Sequence, residues 1–254
     1  MAAFRAAADA FRTVLRAPMP KGEVSGAVSA LVPAEVTYAC SACAATHISG
    51  SLFQQAGLAG GVRLEPTGSV TMLAPIADRP AVPEQASGTS ALVRTYLRLL
   101  GPATLVETAA WLGTSSRELR RVWPEDLAEV RLDGRVVYLP PENLPDLLAV
   151  APPRLVRLLP PGDPYLQARD RNLLVPERSR HAQVWRIIGN PGALLVDGEI
   201  LGTWRARLAG RRRLEVAVLP FGALPGRVRA AIEAEAEHLA AARGVPDVRV
   251  TVEE

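Results

Sequence analysis

Five arginines fall within nine residues, Arg205, Arg207, Arg211, Arg212 and Arg213, around an Ala209-Gly210 turn. Strand alternation sets Arg205 and Arg207 on one side, away from Trp204. Guanidinium groups at a hairpin tip make a phosphate clamp or a groove probe, because like charges packed this closely repel one another unless an anion binds. A solubilising loop is the other reading of the same cluster. Arg117, Arg120 and Arg121 form a second set. Spaced three and four apart, they share one face of a short helix, where they can neutralise phosphates or contact guanine. The alternative is a solvated face beside Glu118 and Glu125.

The stretch 158–171 (LLPPGDPYLQARDR) crowds Tyr165, Gln167, Arg169, Asp170 and Arg171 together behind an Asp163-Pro164 turn. Asp170 between two arginines reads as an ion-pair organiser, with a catalytic carboxylate as the sharper reading. Cys40 and Cys43, the only cysteines, stand in a C-x-x-C arrangement with His47 following, which excludes a disulfide scaffold. Three readings stay open for them: metal ligands wanting a fourth partner, a redox pair, or two small apolar residues in a connection between helices. The spacing alone assigns no metal. No Ser-His-Asp pattern, phosphate-cradling glycine loop, HExxH or dinucleotide fingerprint occurs, so no cofactor is assigned.

These groups sit in a chain of 254 residues, enough for two or three small modules, with 48% hydrophobic residues to build their cores. No apolar run reaches the roughly 18–20 residues that span a bilayer. The N-terminal MAAFRAAADAFRTVLR has no compact apolar signal core. The expectation is a cytoplasmic protein with no membrane partner. Net charge is only +3, but 28 of the 29 basic residues are arginine, Lys21 being the exception. Arginine's planar fork suits phosphates and guanine edges; GC-rich coding would raise its count as well, without explaining the clusters.

Hydrophobic periodicity supplies the scaffold. Phe4, Ala7, Ala8, Phe11, Val14 and Leu15 predict a first helix ended by Pro18 and Pro20; 22–31 and 46–57 predict two more, and 61–65 and 69–74 two strands about a Pro66-Thr67-Gly68 turn. After a Pro/Ala/Ser/Gly-rich linker at 76–90 the same plan repeats. Leu92 to Leu100 are helical, Thr104 caps a second helix stopped by Gly113, and Ser115 caps a third. Asp133-Gly134 then turns a hairpin between 128–132 and 135–139. Three helices closed by a hairpin is the winged-helix plan. Beyond a Pro-bounded connector at 141–153, strands at 155–159, 193–196, 200–207 and 213–219, a helix at 227–243 and a short edge strand predict an antiparallel meander or small barrel. The expected fold is therefore α+β: winged helices at 1–75 and 91–140, then a barrel-like domain with a C-terminal helix at 154–254.

The run LLPPGDPYLQARDR, the stretch VDGEILGTWRARLAGRRRLEVAVLPFG (196–222) and YLRLLGPATLVETAAWLG (96–113) together resemble the AlkZ/YcaQ-like winged-helix DNA glycosylase family of bacteria. The resemblance covers roughly 90–222 well and 1–75 loosely. It implies tandem winged helices followed by a β-barrel, duplex or damaged DNA as partner, and excision of alkylated or crosslinked bases. The family's catalytic element is a Gln-x-Gln or Gln-x-Asp motif in an N-terminal winged helix. That motif does not occur here: Gln54-Gln55 has another spacing, and Gln167 with Asp170 also departs from it. The resemblance thus implies a chain that starts at the family's middle winged helix and binds DNA, with excision in question. A winged-helix transcriptional regulator is the alternative.

Overall fold

The computed structural model describes residues 2–65, 70–85, 87–186, 189–210 and 212–253. Arg211 and the Pro66-Thr67-Gly68 turn lie outside them. The architecture is mixed α+β, in two compact units, 1–88 and 89–254.

The first unit runs α1 (Ala2–Val14), β1 (Met19–Pro20), α2 (Lys21–Leu31), β2 (Thr37–Cys40), β3 (Ala45–Ile48), α3 (Gly50–Ala59), β4 (Val62–Glu65) and β5 (Met72–Pro75). The periodic residues of α1 do what their spacing predicts: Ala7, Ala8, Phe11 and Leu15 are buried against Val24, Val28 and Ala56, with Phe11 edge-on to Phe53. The third helix starts later than 46. Ser49 accepts the Leu52 N–H at 3.2 Å and caps it, while 45–48 pair antiparallel with 37–40 as a hairpin. Three short strands, in the order β1-β5-β4, close the unit.

The second unit opens with α4 (Thr89–Leu100), α5 (Leu105–Leu112), α6 (Ser116–Arg120), β6 (Ala128–Leu132) and β7 (Arg135–Leu139). Local chemistry sets these boundaries. Thr104 and Glu107 form a reciprocal capping box, and Gly113 ends α5 at φ 68°. Ser115 caps α6 by accepting the Glu118 N–H at 3.2 Å, while the Glu118 carboxylate pairs with Arg121 at 3.0 Å. Three helices and a closing hairpin recur from the first unit, which adds β2–β3 before its third helix; in each, the backbone just after the first helix (Met19 and Pro20, or Ala103) bridges to the last hairpin strand.

The Pro-bounded connector at 141–153 carries a short helix, α7 (Leu144–Ala149). Then come β8 (Val156–Leu159), α8 (Arg171–Leu174), α9 (His181–Val184), β9 (Gly192–Val196), β10 (Glu199–Ala209), β11 (Arg213–Pro220), α10 (Gly226–Ala242) and β12 (Asp247–Val252). The sheet order is β12-β11-β10-β9-β8. It is an open half-barrel, and β12 returns parallel to β11, because α10 carries the chain back across one face between them. On that face Trp204, Leu214, Val216 and Val218 pack against Val228, Ile232 and Ala236. The other face is covered toward β9 by Leu166, Leu174 and Val184, which pack on Ala193 and Ile200.

Candidate nucleic-acid interface

The register of the sheet assembles a charged surface. Arg205 lies opposite Ala217, Arg207 opposite Glu215 and Ala209 opposite Arg213, and β12 adds Asp247, Arg249 and Thr251 beside Arg213, Glu215 and Ala217. Directly paired residues share a face, so Arg205, Arg207, Arg213 and Arg249 stand together on the side of the sheet away from α10. Arg205, Arg207 and Arg249 border an open groove of about 530 Å³. The predicted cluster is thus partly neutralised: Arg207 pairs with Glu215 at 2.6 Å, and Arg205 donates to the Gly189 carbonyl at 2.6 Å. Arg212 and Arg213 are exposed and make no ion pair among the described residues. Arg249 is the member that sequence reasoning missed. It stands some forty residues downstream, and only the parallel return of β12 brings it into register with Glu215.

Arg117, Arg120 and Arg121 are all exposed on or beside α6. Arg121 is held by Glu118, whereas Arg117 and Arg120 have no ion pair among the described residues. No hydrogen bond or ion pair among the described residues joins this set to the sheet arginines.

The stretch 158–171 has a different role from the one its charges suggest. Asp163 accepts the Tyr165 N–H at 2.9 Å, and the Tyr165 hydroxyl donates to the Gly198 carbonyl at 3.3 Å. Asp197, at φ 51°, turns the hairpin with Gly198, accepts the Leu155 N–H at 2.9 Å and pairs with Arg227 at 2.5 Å. The two most distinctive motifs of the sequence therefore interlock as architecture. Gln167 is half-buried and makes no side-chain hydrogen bond among the described residues.

Asp170 is not an ion-pair organiser. It forms no ion pair among the described residues, and its Oδ1, like the Nε atoms of Arg169 and Arg171, is buried without a hydrogen-bond partner. Arg171 instead lies over the Trp185 ring at 4.8 Å. Burial holds the Asp170 carboxyl above the ordinary aspartate range; Glu107 pushes the same way and Arg135 opposes. An unpaired, half-buried carboxyl beside Tyr96, Tyr165 and Glu107 has the environment of a functional group.

A folded pKa above the unfolded one makes the carboxylate a cost that grows as pH rises from about 3.9, the unfolded value. Asp170→Asn should therefore stabilise the protein at pH 7, with the gain lost as pH falls below about 3.9. Urea midpoints on either side of that pH measure this. An ion-pairing Asp170 would instead make the variant weaker at pH 7.

Cys40 and Cys43 sit in the β2–β3 hairpin that connects α2 to α3, and His47 lies on its return strand, where a helix from 46 was expected. Among the described residues no helix is long and apolar enough to cross a membrane.

On comparison, the sequence and fold fall with the AlkZ-like DNA glycosylases. The solved structure of DNA glycosylase AlkZ from Streptomyces sahachiroi superposes with a TM-score of 0.64 at 28% identity, over 80% of this chain and 57% of that one. The interstrand DNA cross-link repair glycosylase of Streptomyces sahachiroi is 31% identical over 186 residues, 69% of this chain and 48% of its own length. The family model described as DNA glycosylase AlkZ-like matches residues 1–242. The chain belongs to that family. It spans about half the length of the curated relative it matches.

Proposed function

We propose that this protein binds duplex DNA, including damaged duplex, through the arginine-bearing face of its sheet, as a DNA-repair protein of the bacterial cytoplasm. The observation that carries the reading is the placement of Arg205, Arg213 and Arg249 on one open side of the sheet, in a chain of the AlkZ-like family. In this reading 1–75 and 91–140 act as winged helices and 154–254 as a barrel-like module with its C-terminal helix. Arg117, Arg120 and Arg121 then meet the DNA backbone, as does Arg212 at the hairpin tip with its neighbour Arg211. Gln167, Arg169 and Arg171 contribute further DNA contacts beside Asp170, the carboxyl that excision would draw on. Binding is the activity assigned here; the family's Gln-x-Gln or Gln-x-Asp motif does not occur in the 254 residues. The relatives found are repair glycosylases, which does not favour the transcriptional-regulator alternative.

Fluorescence anisotropy with an unmodified and an N7-alkylguanine duplex tests this. Four to six phosphate contacts give a log–log salt slope of about −4 to −5. Absent or salt-independent binding to both duplexes would overturn the reading. Abasic sites released from the alkylated duplex would restore excision to the chain.

A further inference from the structure

The β2–β3 hairpin contains a group of side chains that DNA binding leaves unexplained. Antiparallel pairing sets Tyr38 opposite His47 and Cys40 opposite Ala45, and the tight turn, with Ala44 at φ 48°, folds Cys43 back over the strands. The Cys43 sulfur then lies 3.1 Å from the Cys40 sulfur and 3.3 Å from Nε2 of His47. The potential donor atoms of all three residues fall within 4.8 Å of one another.

We propose that Cys40, Cys43 and His47 bind one zinc ion, with the fourth coordination position open to water. Two thiolates and an imidazole are soft to borderline donors, the set that zinc takes in preference to magnesium or calcium. Zinc–sulfur bonds of about 2.3 Å and zinc–nitrogen bonds of about 2.0 Å in a tetrahedron place two sulfurs roughly 3.7 Å apart and a sulfur and nitrogen roughly 3.5 Å apart. The Cys43–Cys40 and Cys43–His47 separations have to open by roughly half an ångström or less, while the third separation, within 4.8 Å, has to close toward about 3.5 Å.

The imidazole is also pre-oriented. Nδ1 of His47 is 2.9 Å from the Ile48 carbonyl, so the ring proton resides on Nδ1 and the Nε2 lone pair faces the sulfurs. The Tyr38 ring, edge-on at 4.8 Å, fixes the plane of the imidazole.

No further Cys, His, Asp or Glu joins the group among the described residues. Three protein ligands leave a position for water. Cys43 and His47 border a cavity of about 480 Å³, whose wall also includes Lys21, Ser25, Phe53 and Gln54. A two-stranded hairpin of this length is marginal in water. A metal crosslink between its turn and its return strand would hold it in place.

The full chain, reduced, stripped with chelator and dialysed against zinc, should retain about one zinc per chain by elemental analysis. Cobalt in place of zinc should give the intense visible absorption of a tetrahedral site together with a thiolate-to-cobalt charge-transfer band. That spectrum requires no variant. Cys40→Ser/Cys43→Ser should lose both metal and band while keeping its far-ultraviolet circular dichroism; if it does not fold, His47→Gln serves, with weaker metal retention expected. Failure of the reduced wild-type chain to take up zinc would overturn the proposal, as expected if the pair instead works as a dithiol. Weak, six-coordinate cobalt absorption without charge transfer would overturn it too. So would zinc retained undiminished by the folded double-serine variant.

Discussion

Replacing Arg205, Arg213 and Arg249 together by glutamine is expected to cut duplex affinity by on the order of 10²–10³-fold at 0.1 M salt. Each phosphate contact contributes about 0.9 to the log–log salt slope, so three lost contacts make it shallower by about 2.7. The three residues lie on different strands but on one face of the sheet. Arg207 is left out because Glu215 already neutralises it at 2.6 Å. That pairing supplies a counter-test. Glu215→Gln frees Arg207 and removes the carboxylate in register with Arg249, so binding should tighten and the slope steepen. All the replaced arginines are solvent-facing, and thermal stability should change little. An unchanged salt slope in the triple variant would place the DNA elsewhere.

The Glu215 counter-charge is legible in the sequence by counting back across the hairpin, since Arg207 and Glu215 flank the Ala209-Arg213 pair. Much of the local architecture is legible in the same way. Thr104 with Glu107, Asp133-Gly134 and Asp197-Gly198 act within a few residues, and each does in the structure what its chemistry requires. What depends on distant segments is not legible. The β2–β3 hairpin has strands of only four residues each, TYAC and ATHI, too short for alternation to mark, and its pairing shows only when both strands are placed. Arg249 joins the charged face through a parallel strand reached by way of α10. Asp170 shows the opposite failure. Two adjacent arginines suggest ion pairs, but neither pairs with the Asp170 carboxylate, and Arg171 lies over Trp185 instead.

Trp204→Ala should be the most damaging single substitution in the sheet unit, costing about 3–5 kcal/mol. The indole is 2% exposed, lies on the face packed by α10, and donates from Nε1 to the Leu159 carbonyl at 2.8 Å, tying β10 to β8 across β9. It passes over Gly192, its partner in the intervening strand, where a Cβ would come within 2.3 Å of the ring. Gly192→Ala should therefore be destabilising by the opposite mechanism, overpacking, at about 1–3 kcal/mol or more. At roughly 2–4 °C per kcal/mol, Trp204→Ala should lower Tm by on the order of 10 °C. Trp204→Phe, which keeps much of the volume and loses the hydrogen bond, should fall in between. The measurement also separates architecture from DNA contact. Trp204 and Arg205 are adjacent in sequence but point to opposite faces. Below its melting transition, Trp204→Ala should therefore keep the wild-type salt slope for duplex binding, whereas the arginine triple variant should keep the wild-type Tm and lose the slope. A Trp204 variant that stays folded but shows a flattened slope would mean that the face under α10, and not the open one, meets the DNA.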